Sequence, residues 1–237
     1  QQHGFLSCRS TATNLLECLP DWMLAIDSSQ TTAAVYVAFA WAFDTVSRQK
    51  LVYKLQNYGI TGTLLNFVSS FLSDRTQRTR VGNAISEAAH LTSGIVQGSC
   101  LGPLLFIICI NDIWNIFSNN VKPKLFADDL KLYTTVEIDF DRIMLQAKLN
   151  KLARWAQDWQ LGISIPKCYV LNFSPRVPLG TYYINDSQLP NIDHSIDLGI
   201  VIDCKLKFST HIANIVKKAN SRANLILKCF YSRDITT

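Results

Sequence analysis

The run Ala33-Ala34-Val35-Tyr36-Val37-Ala38-Phe39 has no polar position and favours β-branched and aromatic side chains, which predicts a short buried strand. Before it, residues 1–18 mix glycine, serine and threonine, with a helical stretch from Thr13 to Leu19. After it, Asp44-Thr45-Val46-Ser47 opens a helix that runs to about Tyr58 and stops at Gly59, with Asp44 suited to the N-cap. Leu64 to Leu72 repeats apolar residues at helical spacing. The alternation in Thr76 to Val81 predicts a hairpin strand with its basic side chains outward.

Gly102-Pro103 leads into an apolar helix from Leu104 to Trp114. Lys124-Leu125-Phe126 and Leu130 to Thr134 read as two short strands around Ala127-Asp128-Asp129, a tight hairpin. A helix from Asp141 to Trp159 carries Ile143, Leu145, Leu149, Leu152, Trp155 and Trp159 mostly on one side. Strands follow at Tyr169–Phe173, Thr181–Ile184 and Ser195–Ile202. Ser209 then caps a last helix whose apolar face is Ile212, Ile215, Val216, Ala219, Ala223, Ile226 and Phe230, with Lys217, Lys218, Arg222 and Lys228 off that face. There is no internal repeat and no low-complexity linker. Antiparallel strands interrupted by helices make the class α+β.

Composition narrows the function little. A chain of 237 residues, 48% hydrophobic and 17% charged, is long and apolar enough for a sizeable core and is not a disordered segment. Net charge +5 suits a polyanionic partner without requiring one. Seven cysteines without a C-x-x-C pair argue against a disulfide framework or zinc site and for reduced thiols inside a cell. The longest apolar stretch, Cys100 to Ile110, is too short to span a bilayer, and no signal peptide is visible. The chain lacks an initiator methionine and ends in mid-pattern, so it reads as a fragment of a longer polypeptide.

Chemistry enters at Asp128-Asp129. Two carboxylates at a hairpin tip suit hard dications such as Mg²⁺, which two-metal phosphoryl transfer requires. Alone, Asp-Asp is ordinary turn chemistry. A second segment changes that balance: Ser93-Gly94-Ile95-Val96-Gln97-Gly98-Ser99-Cys100-Leu101-Gly102-Pro103-Leu104-Leu105-Phe106 is a glycine-bearing loop running into an apolar helix. Glycine permits close backbone approach to a nucleotide or template, and Gln97 both donates and accepts hydrogen bonds.

These segments, with Gln2-His3-Gly4-Phe5, Arg9-Ser10-Thr11, Asn14-Leu15-Leu16, Ala42-Phe43-Asp44-Thr45-Val46, Phe126 to Asp129, Trp155 to Cys168, Leu198-Gly199-Ile200 and Phe208 to Ile212, resemble in order and spacing the reverse transcriptases of non-LTR retrotransposons, especially the jockey-like group. The resemblance covers almost the whole chain. It implies a right-hand polymerase: a fingers remnant at 1–30, a palm at 31–203 with its antiparallel sheet packed on helices and a fingers-type insertion near 60–92, and the start of a thumb at 204–237. It implies an RNA template, a DNA primer, deoxynucleoside triphosphates and two Mg²⁺ ions, no membrane, and a nuclear or cytoplasmic ribonucleoprotein. Position by position, Asp128 binds metal with Asp129 beside it, Phe43 lies under the incoming sugar, and Gln97 and Gly98 touch nucleotide and template. Lys167 matches a lysine that protonates the leaving pyrophosphate, against the equal reading of a surface lysine. Arg9 meets template or triphosphate, although a solvated loop arginine is the plainer reading.

One departure bears on activity. The family carries an aspartate five residues before the aromatic Phe43 position, and Ala38 stands there. Asp44 fits an N-cap and does not replace it. Trp41 takes the place of a lysine, and Val96 that of a proline. A decayed copy accounts for all three together. The expectation is an RNA-directed DNA polymerase by descent, impaired here; the alternatives are an inactive nucleic-acid-binding domain using Thr76 to Arg80 and the basic flank of the last helix, or an element relic.

Overall fold

The computed structural model describes residues 1–117, 120–173 and 180–230. Helices α1 (Thr11–Leu16) and α2 (Leu19–Asp27) precede strand β1 (Thr31–Val37), then α3 (Arg48–Asn57) and α4 (Gly62–Leu72) follow. Four two-residue strands, β2 (Thr76–Gln77), β3 (Arg80–Val81), β4 (Ala84–Ile85) and β5 (Ala89–His90), form a ribbon in which β2 pairs with β5 and β3 with β4. Next come α5 (Gly102–Ile110), a 3-10 turn at Asn111–Ile116, the hairpin of β6 (Lys122–Phe126) and β7 (Asp129–Val136), then α6 (Asp139–Trp159) and β8 (Tyr169–Phe173). Short strands β9 (Tyr183–Ile184), β10 (Ser187–Gln188) and β11 (Asn191–Ile192) lead to β12 (His194–Asp197), β13 (Ile200–Asp203) and α7 (Ser209–Cys229).

The main sheet runs β11-β8-β1-β7-β6, antiparallel except where β11 joins β8 in parallel. β1 is its centre, and all seven residues are buried, which explains a run without polar alternation. Successive side chains point to opposite faces of a strand. Ala33, Val35 and Val37 therefore enter a core with Leu51, Leu55, Phe106, Leu149 and Leu152, brought by α3, α5 and α6. Ala34 and Tyr36 enter a second, smaller core with Trp22 of α2, Tyr133, Phe173 and Ile202. Trp22 fills that face by stacking on Phe173 at 4.3 Å and meeting Tyr133 edge-on.

The α+β class and most elements match the expectations, with several corrections. α2 had not been anticipated. α3 begins at Arg48, capped by the Ser47 hydroxyl, and Asp44 caps nothing because its carboxylate is engaged elsewhere. The expected strand Ser195–Ile202 is a hairpin, since Leu198 and Gly199 take φ of 48° and 90° and turn the chain back. The strand at Thr181–Ile184 shortens to Tyr183–Ile184. The expected hairpin strand at Thr76 to Val81 is split into β2 and β3, each paired with a later strand, and its basic side chains Arg78 and Arg80 are exposed. Ile143 on α6 is also exposed. Ser209 is the first residue of α7, not its cap, and follows Phe208 at φ 55°. The apolar face of α7 is amphipathic as expected, yet no residue of that helix is buried among the described residues. No helix among them is long and apolar enough to cross a membrane.

Candidate functional site

β1 pairs with β7 in a register that ends Tyr36↔Lys131, Val37↔Leu130. Continued one step beyond its last pair, that register would set Ala38 across from Asp129, with Asp128 one residue back at the turn. On its other side β1 continues past β8 into a second contact, where the Ala38 carbonyl accepts from the Ser164 amide at 2.8 Å and Phe39 bridges Ile163. Between these two contacts the chain makes the 3-10 turn Ile165–Lys167. Ala38, Asp129 and Lys167 consequently line one cavity, together with Lys131, Asp197 and Tyr36. Burial, then the neighbouring Asp128 and Asp197 carboxylates, push the Asp129 carboxyl above its usual range, while Lys131 and Lys167 pull the other way.

The hairpin tip is held from outside. Ala127 takes φ 53°, the left-handed region that non-glycine residues enter rarely. The Gln2 carboxamide clamps both sides of that residue: Nε2 donates to the Ala127 carbonyl at 3.1 Å and Oε1 accepts the Ala127 amide at 2.9 Å. Gly4 makes room for this approach, because a Cβ there would lie 2.3 Å from the Ala127 nitrogen.

One residue pair back along the same sheet face lies a buried ion pair. Lys131 and Asp197 are each 5% exposed at the side chain and 2.6 Å apart, and the Tyr36 hydroxyl donates to the same carboxylate oxygen at 2.9 Å. Burial, followed by the Asp197 charge, raises the Tyr36 phenol well above its usual range. This trio ties the β12–β13 hairpin to the sheet just beneath Ala38 and Asp129.

Beyond β1, the chain turns at Trp41, where φ is 52° and the carbonyl accepts the Asp44 and Thr45 amides at 2.8 and 2.9 Å. The Trp41 ring is 79% exposed, so its bulk meets solvent. Phe43 is half-buried, stacked on Phe106 at 4.1 Å and met edge-on by Phe5. The glycine loop zips onto this segment: Ile95 donates to the Phe43 carbonyl at 2.9 Å, Gly94 to that of Val46 at 2.8 Å, and the Gln97 side chain to Asp44 Oδ1 at 2.6 Å. Gly98 has φ 78° and nothing within 4 Å of where a Cβ would stand.

The fold thus gathers Asp129, Lys167 and the Ala38 position in one cavity, and separately joins the Phe43-Asp44 segment to Ile95 and Gln97 of the glycine loop. Arg9 belongs to neither group: it pairs with Glu17 at 2.6 Å. Gln2, Gly4, Arg48, Lys131 and Asp197 were missed by sequence reasoning. Gln2 and Gly4 lie inside the Gln2-His3-Gly4-Phe5 segment, whereas nothing local marks the other three.

A pair of octahedral Mg²⁺ ions needs several carboxylate oxygens converging from separate elements. Among the described residues no group of three or more His, Cys, Asp or Glu side chains is placed to hold a metal ion. The cavity there is lined by the carboxylates of Asp129 and Asp197 and by Ala38.

A sequence profile described as reverse transcriptase (RNA-dependent DNA polymerase) matches residues 1–198. The RNA-directed DNA polymerase from mobile element jockey of Drosophila melanogaster is 28% identical over 227 residues, covering 90% of this chain and 24% of that protein. The probable RNA-directed DNA polymerase from transposon X-element of the same species is 26% identical, with 90% and 24% covered. The chain therefore spans about a quarter of the length of these curated relatives. Among solved structures, Candida tropicalis telomerase in complex with a fragment of telomeric RNA superposes with TM-score 0.59 at 10% identity, over 87% of this chain and 34% of that one. The Candida albicans telomerase gives TM-score 0.56 at 10% identity, over 88% and 36%. At such identity the likeness is one of fold.

Proposed function

The chain belongs to the reverse transcriptase (RNA-dependent DNA polymerase) family, and from that premise we propose that it is the palm-centred part of a non-LTR retrotransposon polymerase whose nucleotidyl transfer is impaired by Ala38. Residues 1–30 are its fingers remnant, 31–203 its palm with a fingers-type insertion near 60–92, and 204–237 the start of its thumb, of which 231–237 lie outside the described residues. The substrates are a DNA primer on an RNA template and deoxynucleoside triphosphates.

The observation that carries the impairment is the position of Ala38: a methyl group facing Asp129 where a second strand would supply the opposing carboxylate. Other features support the polymerase reading. Phe43, stacked on Phe106, offers a fixed aromatic face to the sugar. Gln97, held by Asp44, and Gly98 form the backbone-rich edge for nucleotide and template. In the reaction the primer 3′-hydroxyl gives up its proton to solvent water as its oxygen bonds to the α-phosphorus and the bond to pyrophosphate breaks, and Lys167 gives its own proton to the departing pyrophosphate oxygen. Asp128 and Asp129, the carboxylates that remain, would hold the two Mg²⁺ ions that the family reading implies only weakly, and the ions would supply charge to the triphosphate.

Exposed Arg78 and Arg80 on the β2–β5 ribbon and Lys217, Lys218 and Arg222 on α7 favour retained phosphate contact even without chemistry. The purified chain is expected to bind a DNA primer on an RNA template in fluorescence anisotropy. Its affinity should fall with salt by about 0.7–0.9 log units per log unit for each phosphate contacted. Supplied with deoxynucleotides and either Mg²⁺ or Mn²⁺, it should extend nothing. Robust extension would overturn the impairment, and absence of binding at any salt would leave only a relic.

A further inference from the structure

Resting on that reading of the glycine loop, we propose that Arg48 is a positioning residue that sets the loop carrying Gln97 and Gly98 at the nucleotide edge. Arg48 is the first residue of α3, a helix anchored in the core by Leu51 and Leu55, so its guanidinium leaves from a rigid base. It donates to three carbonyls of one loop: Nη1 to Leu91 at 2.8 Å, Nη2 to Ser93 at 3.1 Å and Nε to Gly94 at 3.4 Å. A guanidinium offers five N–H donors in a fixed planar fork, a geometry that a lysine ammonium does not reproduce. These neutral carbonyls, and no carboxylate among the described residues, take its donors.

The loop leaves regular structure there, so its carbonyls have no ladder to satisfy them. Its downstream leg is fixed by the segment that follows β1. Ser93 Oγ donates to the Asp44 carbonyl at 2.8 Å, and Gln97 donates to the Asp44 carboxylate at 2.6 Å. Gly94 sits so close, at φ 90°, that a Cβ would fall 2.9 Å from the Asp44 carbonyl oxygen. Arg48 holds the Leu91, Ser93 and Gly94 carbonyls while Asp44 holds the Ser93 hydroxyl and the Gln97 side chain. With both in place the Gln97 carboxamide is held on the Asp44 carboxylate.

Arg48→Met and Arg48→Lys test this in the unmodified chain. Two readouts report on the loop: hydrogen exchange of the Gly94 and Ile95 amides, and the resonances of the Gln97 side-chain carboxamide. In Arg48→Met, exchange at those two amides should rise at least about tenfold, while β1 and β7 amides keep their protection. The Gln97 resonances should move toward those of a freely solvated carboxamide. Arg48→Lys should recover only part of both effects. Unchanged Gly94, Ile95 and Gln97 signals in Arg48→Met would overturn the proposal, as would full recovery by lysine or uniform loosening of the sheet. If Arg48→Met does not fold, Arg48→Lys decides: displaced Gln97 resonances support the assignment, and resonances identical to the unmodified chain refute it. Neither readout needs nucleotide or catalysis, so the polymerase reading can fail while Arg48 is still found to hold the loop.

Discussion

Ala38→Asp, made in a chain that carries complete fingers and thumb, is expected to raise Mg²⁺-dependent primer extension by on the order of 10³-fold over the same chain with alanine. That factor corresponds to about 4 kcal/mol of transition-state stabilisation. Register is the reason. Residues directly opposite in an antiparallel pair hold their Cβ atoms about 4.5–5.5 Å apart, close enough for their carboxylates to share a dication. Position 38 continues the register in which Val37 faces Leu130, so its side chain shares the Asp129 face of the sheet. The new charge also has an electrostatic signature. Asp129 is already held above its usual range by burial and by Asp128 and Asp197. A further carboxylate beside it is tolerable only with a cation between them, so the recovered activity should depend steeply on metal concentration. Ala38→Asn, of the same shape without charge, should recover little. Equal recovery by both variants in single-turnover extension would refute the electrostatic basis.

The largest expected effect on stability lies one residue pair deeper. Lys131→Met should cost about 3–5 kcal/mol, because it strands the Asp197 carboxylate, 5% exposed at the side chain, without its cation. For a chain of this size that is a fall of roughly 10 °C in Tm. Replacing the whole trio should behave differently. Lys131→Met with Asp197→Leu and Tyr36→Phe removes both charges and the hydroxyl that donates to the carboxylate, leaving none of the three buried polar groups unpaired, and most of the loss should return. A triple variant no more stable than Lys131→Met would show that the trio's geometry, beyond its charge balance, holds β12–β13 against the sheet. Thermal and denaturant unfolding of the unmodified chain and the two variants measures this.

The division between what the sequence disclosed and what it hid follows from range. β8 and the β6–β7 hairpin were legible because their apolar runs are short and bounded by turn residues. The place of Asp128 and Asp129 in that hairpin was legible because Ala127 and Asp128 make the turn and Asp129 opens β7. The β12–β13 turn was hidden because apolar residues flank a single glycine, so Ser195 to Ile202 reads as continuous strand. Asp44 illustrates a local signal overridden by a distant partner: it suits an N-cap, yet Gln97, 53 positions on, takes its carboxylate and leaves the cap to Ser47. Lys131 and Asp197 are 66 positions apart, and Gln2 lies 125 from Ala127, so no window of sequence contains either contact. The apolar stripe of α7 was correctly read as a stripe, but periodicity does not state what covers it.

The central claim is that Ala38 leaves half of a metal site, and the most direct test is a Mn²⁺ titration followed by electron paramagnetic resonance. It compares the unmodified chain, Ala38→Asp, and Ala38→Asp combined with Asp129→Asn. The unmodified chain should bind Mn²⁺ weakly. Ala38→Asp should tighten binding at least about tenfold, a gain of about 1.4 kcal/mol, and the added Asp129→Asn should abolish it. Equal affinity in the unmodified chain and Ala38→Asp would contradict the account, because the carboxylate at position 38 would then be no part of the site.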